Sequence, residues 1–280
     1  MNAAKINIVA VTSDFSSIAK SIGGENVNVN SLINGSKNLH NVTPKTSMAF
    51  KLKKADLIIR LGMSQDSWVD GLIQVSKNPK LQKGQPGYLD ASKRINKLEI
   101  PNGKIDGRVG DVHIEGNPHY WLNPNNGLTI AEEITKHLIL IDPKNKQFYK
   151  NNEEKFKQDL SNHIIIWENK LKNLQKSSFI SYHKVWSYFF DAFNLNSIGE
   201  LERVPGIPPS AKHLNQLKNK VKNTSQKTIV ITASYFPQKS GKIFAKQIES
   251  EFISLKTNVD FKEIKNYIEL FDYLVAKLNK

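Results

Sequence analysis

Signals for strands and helices alternate along the first third of the chain, and this alternation limits the fold more than any other feature. Residues 5–12 form a continuous apolar run, as expected for a strand buried on both faces. Asp14 stands where a helix N-cap is expected, and Gly23 and Gly24 end the apolar stripe that follows. Further signals predict a strand at 26–33, a helix at 46–54 and a strand at 55–62. This βαβα order predicts a parallel sheet with helices on its faces.

A long helical stripe occupies the middle of the chain. Asp142 followed by Pro143 is a start signal for a helix. Apolar side chains then recur at spacings of mostly three or four, at Tyr149, Phe156, Leu160, Ile164, Trp167, Leu171 and Leu174. No Gly or Pro interrupts this stripe, so it predicts one helix of about 30 residues, about 45 Å long. A helix of this length can link two lobes.

The α/β pattern resumes after the long helix, with a strand at 178–182, a helix at 184–193, a strand at 227–234 and a helix at 266–278. The predicted fold class is therefore α/β, with two lobes, each a parallel sheet flanked by helices, joined by one long backbone helix. The expected division is an N-terminal lobe at 1–141, the linking helix at 142–177 and a C-terminal lobe at 178–280. Residues 84–117 are expected to form an irregular connection with a short strand or two.

Composition excludes several kinds of site. The 280 residues include no cysteine, which excludes a thiolate metal site, a cysteine nucleophile and a disulfide. A transition-metal site would therefore use His, Asp or Glu. The net charge of +14 suggests nucleic-acid binding, but the lysines are spread along the whole chain, which favours a solvated basic surface over a nucleic-acid site. Attraction to an anionic membrane surface is a lesser alternative. No apolar run approaches the roughly 18–20 residues of a membrane helix.

The seven histidines separate by their positions. His137 and His163 lie inside predicted helices, where structural or surface roles are expected. His40 follows the second strand, His183 stands at the carboxyl end of a strand, and His119 lies in a turn-rich segment. Ligands of open α/β sheets bind outside the carboxyl ends of the strands. Three imidazoles in such places suit a zinc ion, with a fourth position left for a carboxylate, water or another group.

Three segments resemble one known family. They read GSKNLHNVTPKTSMAFKLKKADLIIRLG, GNPHYWLNP and ISYHKVWSYFFDAFNL, and they occur in the order found in the periplasmic solute-binding proteins of zinc and manganese ABC transporters. GDVHIEGNPH and VPGIPPSAKHL resemble one subgroup of that family. The likeness covers nearly the whole chain, and it implies that His40, His119 and His183 are metal ligands.

The resemblance implies extracytoplasmic capture of a divalent transition metal and its delivery to a membrane ABC permease for uptake. Manganese-selective relatives tend to have a carboxylate at the third position, so His183 favours Zn²⁺ over Mn²⁺. The chain is expected to be a monomer without enzyme activity or a nucleic-acid partner, and a metallochaperone is a further candidate partner. It is expected to be periplasmic or membrane-anchored, with the signal sequence outside these residues.

The fourth ligand departs from the family pattern. Many relatives supply an Asp from the last lobe, and here Asp260 is the nearest acid, with Glu202 as a second candidate and water as a competitor. His113 is a candidate auxiliary ligand, although a structural role is favoured. His213, at a predicted helix start, is expected to cap the helix or to support a ligand.

Two other functions remain open from the sequence. Three histidines with an open position also describe a zinc-dependent hydrolase, but the chain has no HExxH motif and no acid clearly placed as a general base. The second alternative is a surface adhesin in which the metal acts as a structural staple.

Overall fold

The computed structural model describes residues 4–101, 113–202 and 206–279. The chain divides into two compact units. Unit 1 consists of Met1–Asn96, Asn125–Ile164 and Asn258–Leu270, and unit 2 of Lys97–Pro124, Ile165–Thr257 and Phe271–Lys280. The division into 1–141, 142–177 and 178–280 stays a prediction, whereas these compact units take interleaved segments of the chain.

Unit 1 contains a parallel sheet of four strands. The strands are β1 (Ile6–Thr12), β2 (Val27–Ile33), β3 (Leu57–Arg60) and β4 (Tyr88–Asp90), in the order β2-β1-β3-β4. Strand β1 is central and buried at nearly every position, as its continuous apolar run predicts. Helices α1 (Ser13–Gly23), α2 (Thr46–Lys53) and α3 (Trp68–Ser76) connect these strands.

Unit 2 contains a second parallel sheet of four strands. The strands are β5 (Ser178–Ser181), β6 (Asn196–Glu200), β7 (Thr228–Ala233) and β8 (Glu251–Leu255), in the order β6-β5-β7-β8. Helices α6 (Ser187–Phe193), α7 (Ala211–Lys222) and α8 (Gln238–Gln247) connect them. The predicted fold class, with two parallel sheets flanked by helices, is confirmed.

The long central helix is also confirmed. A 3₁₀ turn at Pro143–Asn145 leads into α5 (Lys146–Leu171), and a second 3₁₀ turn follows at Lys172–Lys176. The 26 residues of α5 span about 39 Å, and the helix begins in unit 1 and ends in unit 2. Helices α4 (Pro124–Ile141) and α9 (Tyr267–Leu278) complete the helices of the described residues.

The predicted N-cap at Asp14 is wrong. Helix α1 begins at Ser13, and its N-cap position is Thr12. Asp14 lies one residue inside the helix, with its side chain fully buried. Its carboxylate accepts hydrogen bonds from Asn258 and Val259, residues that are far away in the sequence. The acid therefore joins α1 to a distant segment of unit 1 rather than capping its own helix.

Asp142 differs in part from its prediction as a helix cap. It precedes the 3₁₀ turn at Pro143–Asn145, but its side chain makes no capping bond to the backbone. Its Oδ2 instead accepts hydrogen bonds from Asn145 Nδ2 at 2.6 Å and from Tyr149 Oη at 2.8 Å. The start signal thus marks the right place, and the carboxylate acts through side chains of the first helical turns.

Candidate metal centre

Two of the predicted ligands, His119 and His183, lie side by side in unit 2. Their ring centroids are 5.9 Å apart, with the rings at 76° to each other. A nitrogen of one ring lies within 4.8 Å of a nitrogen of the other, a separation that one metal ion can bridge. Both side chains are buried, at 2% and 5% exposure. These two imidazoles, separated by more than 60 residues of sequence, form the centre of the candidate site.

The amide of Asn117 holds His119 in place. Asn117 Oδ1 accepts from the backbone N–H of His119 at 3.0 Å and contacts its Nδ1 at 2.9 Å. Because a carbonyl oxygen accepts hydrogen bonds and does not donate them, Nδ1 carries the ring proton and the lone pair is on Nε2. Asn117 Nδ2 donates to the carbonyl of Lys184 at 2.7 Å and to Ser187 Oγ at 3.2 Å. One buried amide thus orients His119 and also fixes the segment that follows His183.

The carboxylate of Glu202 holds His183. Strand β5 ends at Ser181, which places His183 just beyond the carboxyl end of the strand, as the sequence predicts. Glu202 Oε2 lies 2.6 Å from His183 Nδ1, and Oε1 accepts from the backbone N–H of Gly206 at 2.7 Å. A carboxylate on Nδ1 fixes the tautomer with the lone pair on Nε2 and makes the imidazole a better metal ligand.

Aromatic rings lie against both imidazoles. The Trp121 ring centroid lies 5.4 Å from that of His119, and Phe236 lies 5.2 Å from His183. The indole Nε1 of Trp121 donates to the carbonyl of Thr257 at 2.8 Å, which fixes the ring. These apolar walls limit access of water and so strengthen the electrostatic attraction between the site and a cation.

His40 lies in unit 1, in the loop that follows β2. It is the middle residue of a 3₁₀ turn at Leu39–Asn41 and is half-buried. Asn38 begins this turn, and its Oδ1 accepts from the backbone N–H of His40 at 3.0 Å. The loop position predicted from the sequence is therefore correct, and the turn fixes the backbone from which the ring projects.

The candidate fourth ligands have other partners in the structure. Asp260, in unit 1, accepts through Oδ1 from the backbone N–H groups of Lys262, Glu263 and Ile264, at 2.9 to 3.0 Å, as a turn-capping carboxylate does. Glu202 contacts His183 through one oxygen and the backbone through the other. His113 is half-buried, and its carbonyl accepts from Gly116 N–H at 3.0 Å.

The remaining histidines contact backbone carbonyls. Nδ1 of His137 lies 2.6 Å from the carbonyl of Pro86, and Nδ1 of His163 lies 2.8 Å from that of Asp159. Nε2 of His213 lies 2.7 Å from the carbonyl of Glu200, while Ser210 caps the helix. His213 therefore supports the end of β6 and does not itself provide the cap.

Asp14 is a buried ionisable group near the carboxyl edge of the unit 1 sheet. Asn258 Nδ2 donates to its Oδ2 at 2.5 Å, and Val259 N–H donates to its Oδ1 at 3.0 Å. Burial raises the pKa of the Asp14 carboxyl to about 6, although both hydrogen bonds lower it. The group thus titrates in the folded protein at a much higher pH than an exposed aspartate does.

Sequence reasoning missed Asn117, and it named Glu202 as a candidate ligand rather than as a residue that orients His183. Asn117 could have been noticed because it stands two residues before His119 in the NPH motif, where an amide can bond back to the following backbone. The contact between His183 and Glu202 spans 19 residues and depends on the path of the chain.

Among the described residues, no helix has both the length and the apolar character needed to cross a bilayer.

Comparison with known proteins gives one consistent family. The family described as "Zinc-uptake complex component A periplasmic" matches residues 8–280. The chain is 27% identical over 230 residues to the manganese ABC transporter substrate-binding lipoprotein scaA of Streptococcus gordonii, covering 79% of this chain and 71% of that protein. It is 24% identical over 284 residues to the zinc-binding lipoprotein AdcA of Streptococcus pneumoniae, covering 96% of this chain and 54% of that protein.

The fold is likewise similar to a solved structure. The crystal structure of ZnuA superposes with a TM-score of 0.80 at 22% sequence identity, and the match covers 98% of both chains. At this identity the match supports the architecture of two parallel sheets and a long helix, without bearing on the choice of metal.

Proposed function

The chain belongs to the family of periplasmic zinc-uptake complex component A proteins, and on this premise we propose that it captures zinc and delivers it to a membrane ABC permease. The chain is an extracytoplasmic metal-binding component of an ABC transporter and not an enzyme. Because the relatives include manganese-binding and zinc-binding lipoproteins, the preference for zinc is the part that we propose.

The pair formed by His119 and His183 carries the proposal. Each ring has its Nδ1 on an oxygen of Asn117 or Glu202, which leaves Nε2 as the nitrogen that would coordinate a metal. Two neutral imidazoles fixed in this way suit Zn²⁺ better than Mn²⁺, which prefers oxygen ligands. These contacts support the proposal of a metal site, because neighbouring residues orient both ligands.

We propose His40 as the third ligand. The proposal follows from its place after β2 in a segment that resembles the family's ligand-bearing segment, and from the turn that Asn38 stabilises. We propose water in the fourth position, because the Asp260 carboxylate caps a turn and the Glu202 carboxylate supports His183. Three imidazoles and one water complete the tetrahedral coordination that zinc prefers.

The capture step follows from the chemistry of imidazole. Zinc binds the neutral ring, so protons compete with the metal and affinity falls as the pH falls. The loaded protein then presents the ion to its permease, and we further propose that it does so as a monomer. A metallochaperone that loads the protein stays a candidate partner. Family membership removes the hydrolase alternative, and the adhesin alternative stays untested.

Zinc K-edge X-ray absorption tests the proposed ligand set directly. For the zinc-loaded protein we expect three imidazole nitrogens at about 2.0–2.1 Å and one oxygen at a similar distance. His119→Ala should reduce the imidazole count by one. The matched control is His163→Ala, whose ring contacts the carbonyl of Asp159 on α5 and should leave the count unchanged. Fewer than three imidazole nitrogens around zinc in the wild-type protein would contradict the proposed ligand set.

A further inference from the structure

An uneven distribution of charge marks one part of unit 2. Residues 206–248 contain eight lysines and no Asp or Glu, in a chain that has 26 acidic residues in all. Seven of these lysines lie on the two helices α7 and α8 or at their ends, and the eighth, Lys227, precedes β7 and pairs with Glu251 at 3.4 Å. This segment therefore contributes eight of the chain's 14 net positive charges, and the other residues contribute 32 basic and 26 acidic side chains.

Both helices lie on the same face of the unit 2 sheet. Leu217 of α7 and Phe244 of α8 belong to one buried cluster, together with Ile180 of β5 and Val230 of β7. Because both helices pack their apolar sides into this cluster, their opposite sides face solvent together. Unit 2 thus presents two neighbouring helices whose outer surfaces are rich in lysine.

The lysines of α8 are aligned. Lys239, Lys242, Ile243 and Lys246 recur at i, i+3, i+4 and i+7, which places them on one side of the helix. All three lysines are exposed, and Ile243 is 48% exposed among them. The buried residues of this helix, Gly241, Phe244 and Ala245, lie on its other side.

Six lysines define this surface, which we call the lysine face: Lys212, Lys218 and Lys222 of α7, and Lys239, Lys242 and Lys246 of α8. None of the six forms an ion pair with another residue in the described part of the chain. Lys220 differs because its Nζ donates to the carbonyl of Ile198 at 2.9 Å. The six charges are therefore available to an external partner.

We propose that the lysine face is a contact surface for an anionic phospholipid bilayer. Clustered lysines are attracted to negatively charged lipid headgroups without needing a shaped pocket. All eight cations of residues 206–248 are lysines, which act as point charges, whereas arginine is the residue that recognises individual phosphates in a bidentate manner. Ile243 provides one apolar side chain at the centre of the α8 lysines, suited to the headgroup layer.

Other classes of partner fit this surface less well. Single-stranded nucleic acids are held by aromatic rings on which bases stack, and the one aromatic side chain on α7 and α8, Phe244, is buried. A stable protein interface needs several apolar or aromatic anchors, and Ile243 is the one strongly exposed large apolar side chain of these two helices. Diffuse charge with little apolar area matches a charged lipid surface.

Vesicle co-sedimentation tests the proposal. The wild-type protein should bind vesicles of mixed phosphatidylglycerol and phosphatidylcholine at 50 mM NaCl and dissociate from them at 500 mM NaCl. It should not bind vesicles of phosphatidylcholine alone. The α8 variant carries three changes, Lys239→Gln, Lys242→Gln and Lys246→Gln. Its partition coefficient onto the anionic vesicles should be about 100-fold lower than that of the wild type, since each lysine near the membrane surface contributes about five-fold. The matched control makes the same three changes at Lys144, Lys146 and Lys150, which are exposed lysines of unit 1.

A loss of ten-fold or less in the control, with about 100-fold in the α8 variant, supports the proposal. Equal losses in the two variants would mean that net charge and not the lysine face controls binding, and would overturn it. Equal binding to both kinds of vesicle, or to neither, would also overturn it. So would tighter binding to a 30-base-pair DNA duplex than to anionic vesicles at the same salt concentration, if the α8 variant abolished it.

Discussion

Single residues of the candidate site differ in how well the sequence predicts them. His119 and His183 can be proposed from their places at a turn and at a strand end, and the structure brings their rings to 5.9 Å. The supporting role of Glu202 could not be predicted in the same way, since its contact with His183 depends on the path of the chain. The sequence analysis names Glu202 as a candidate metal ligand. In the structure its carboxylate instead contacts the Nδ1 of His183.

Changes at Glu202 test its role in orienting His183. Glu202→Ala should weaken zinc binding about 10–100-fold, the usual effect of losing a residue that supports a ligand. Glu202→Gln keeps an oxygen that can accept from Nδ1–H, so it should recover most of that loss. Affinities are measured by competition with a zinc chelator, and Glu249→Gln, at an exposed acid of the same unit, is the control. If Glu202→Gln weakens zinc binding as much as Glu202→Ala does, Glu202 does not orient His183 through this hydrogen bond.

Asp14 gives a prediction about stability and pH. Its pKa is raised from 3.8 to about 6 in the folded protein because of burial. A raised pKa means that the folded state binds the proton more tightly than the unfolded state does. The contribution of Asp14 to stability is thus fully present below about pH 3.8 and is lost as the pH rises through about 6. The full change is about 3 kcal/mol.

Urea unfolding of the metal-free protein measures this contribution. Asp14→Asn serves as the reference because it cannot titrate at this position, while all other ionisable groups stay the same. The free energy of unfolding of the wild type minus that of Asp14→Asn should fall by about 2.4 kcal/mol between pH 4 and pH 7, most of the full change. A difference that stays constant or rises with pH would show that the hydrogen bonds from Asn258 and Val259 outweigh the cost of burial.

At the scale of elements, the central strands are among those that the sequence predicts. Strand β7 is buried at all six positions, and its continuous apolar run is recognised at once. Strands β6 and β8 lie at the two edges of their sheet, with largely half-exposed residues, and the sequence gives no comparable signal for them. These two edge strands are defined by pairing with a neighbour, whereas the edge strand β2 is predicted because its polar and apolar residues alternate.

The end of helix α5 provides an element-scale test. Trp167 is fully buried, stacks on Phe271 at a centroid distance of 5.1 Å and donates from Nε1 to Asp272 Oδ1 at 2.9 Å. Trp167→Ala should lower the free energy of unfolding by about 3–5 kcal/mol, because it leaves a large cavity and an unsatisfied contact. Ile166→Ala, at a neighbouring exposed position, should change it by about 0.5 kcal/mol or less in urea denaturation. Equal effects would mean that Trp167 does not anchor the helix.

At the scale of the whole molecule, the sequence predicts the two sheets but not the way in which the chain divides. Each compact unit is assembled from separated segments, through contacts such as Trp121 with Thr257, which are 136 residues apart, and Asp14 with Asn258, which are 244 apart. Such contacts leave no local pattern. The charge of +14 is visible in the sequence, whereas the placement of seven lysines on one side of unit 2 becomes clear once α7 and α8 are known to share a face.

We propose that His40, His119 and His183 bind zinc in preference to manganese, and calorimetric titration of the metal-free protein with each metal measures this preference. We predict one zinc ion per chain, bound at least about ten-fold more tightly than manganese. Loss of a residue that supports a ligand weakens metal binding by about 10–100-fold. We expect a larger loss of zinc affinity in each of the three variants His40→Ala, His119→Ala and His183→Ala, and no change in His137→Ala. The account is contradicted if zinc affinity is unchanged in all three variants.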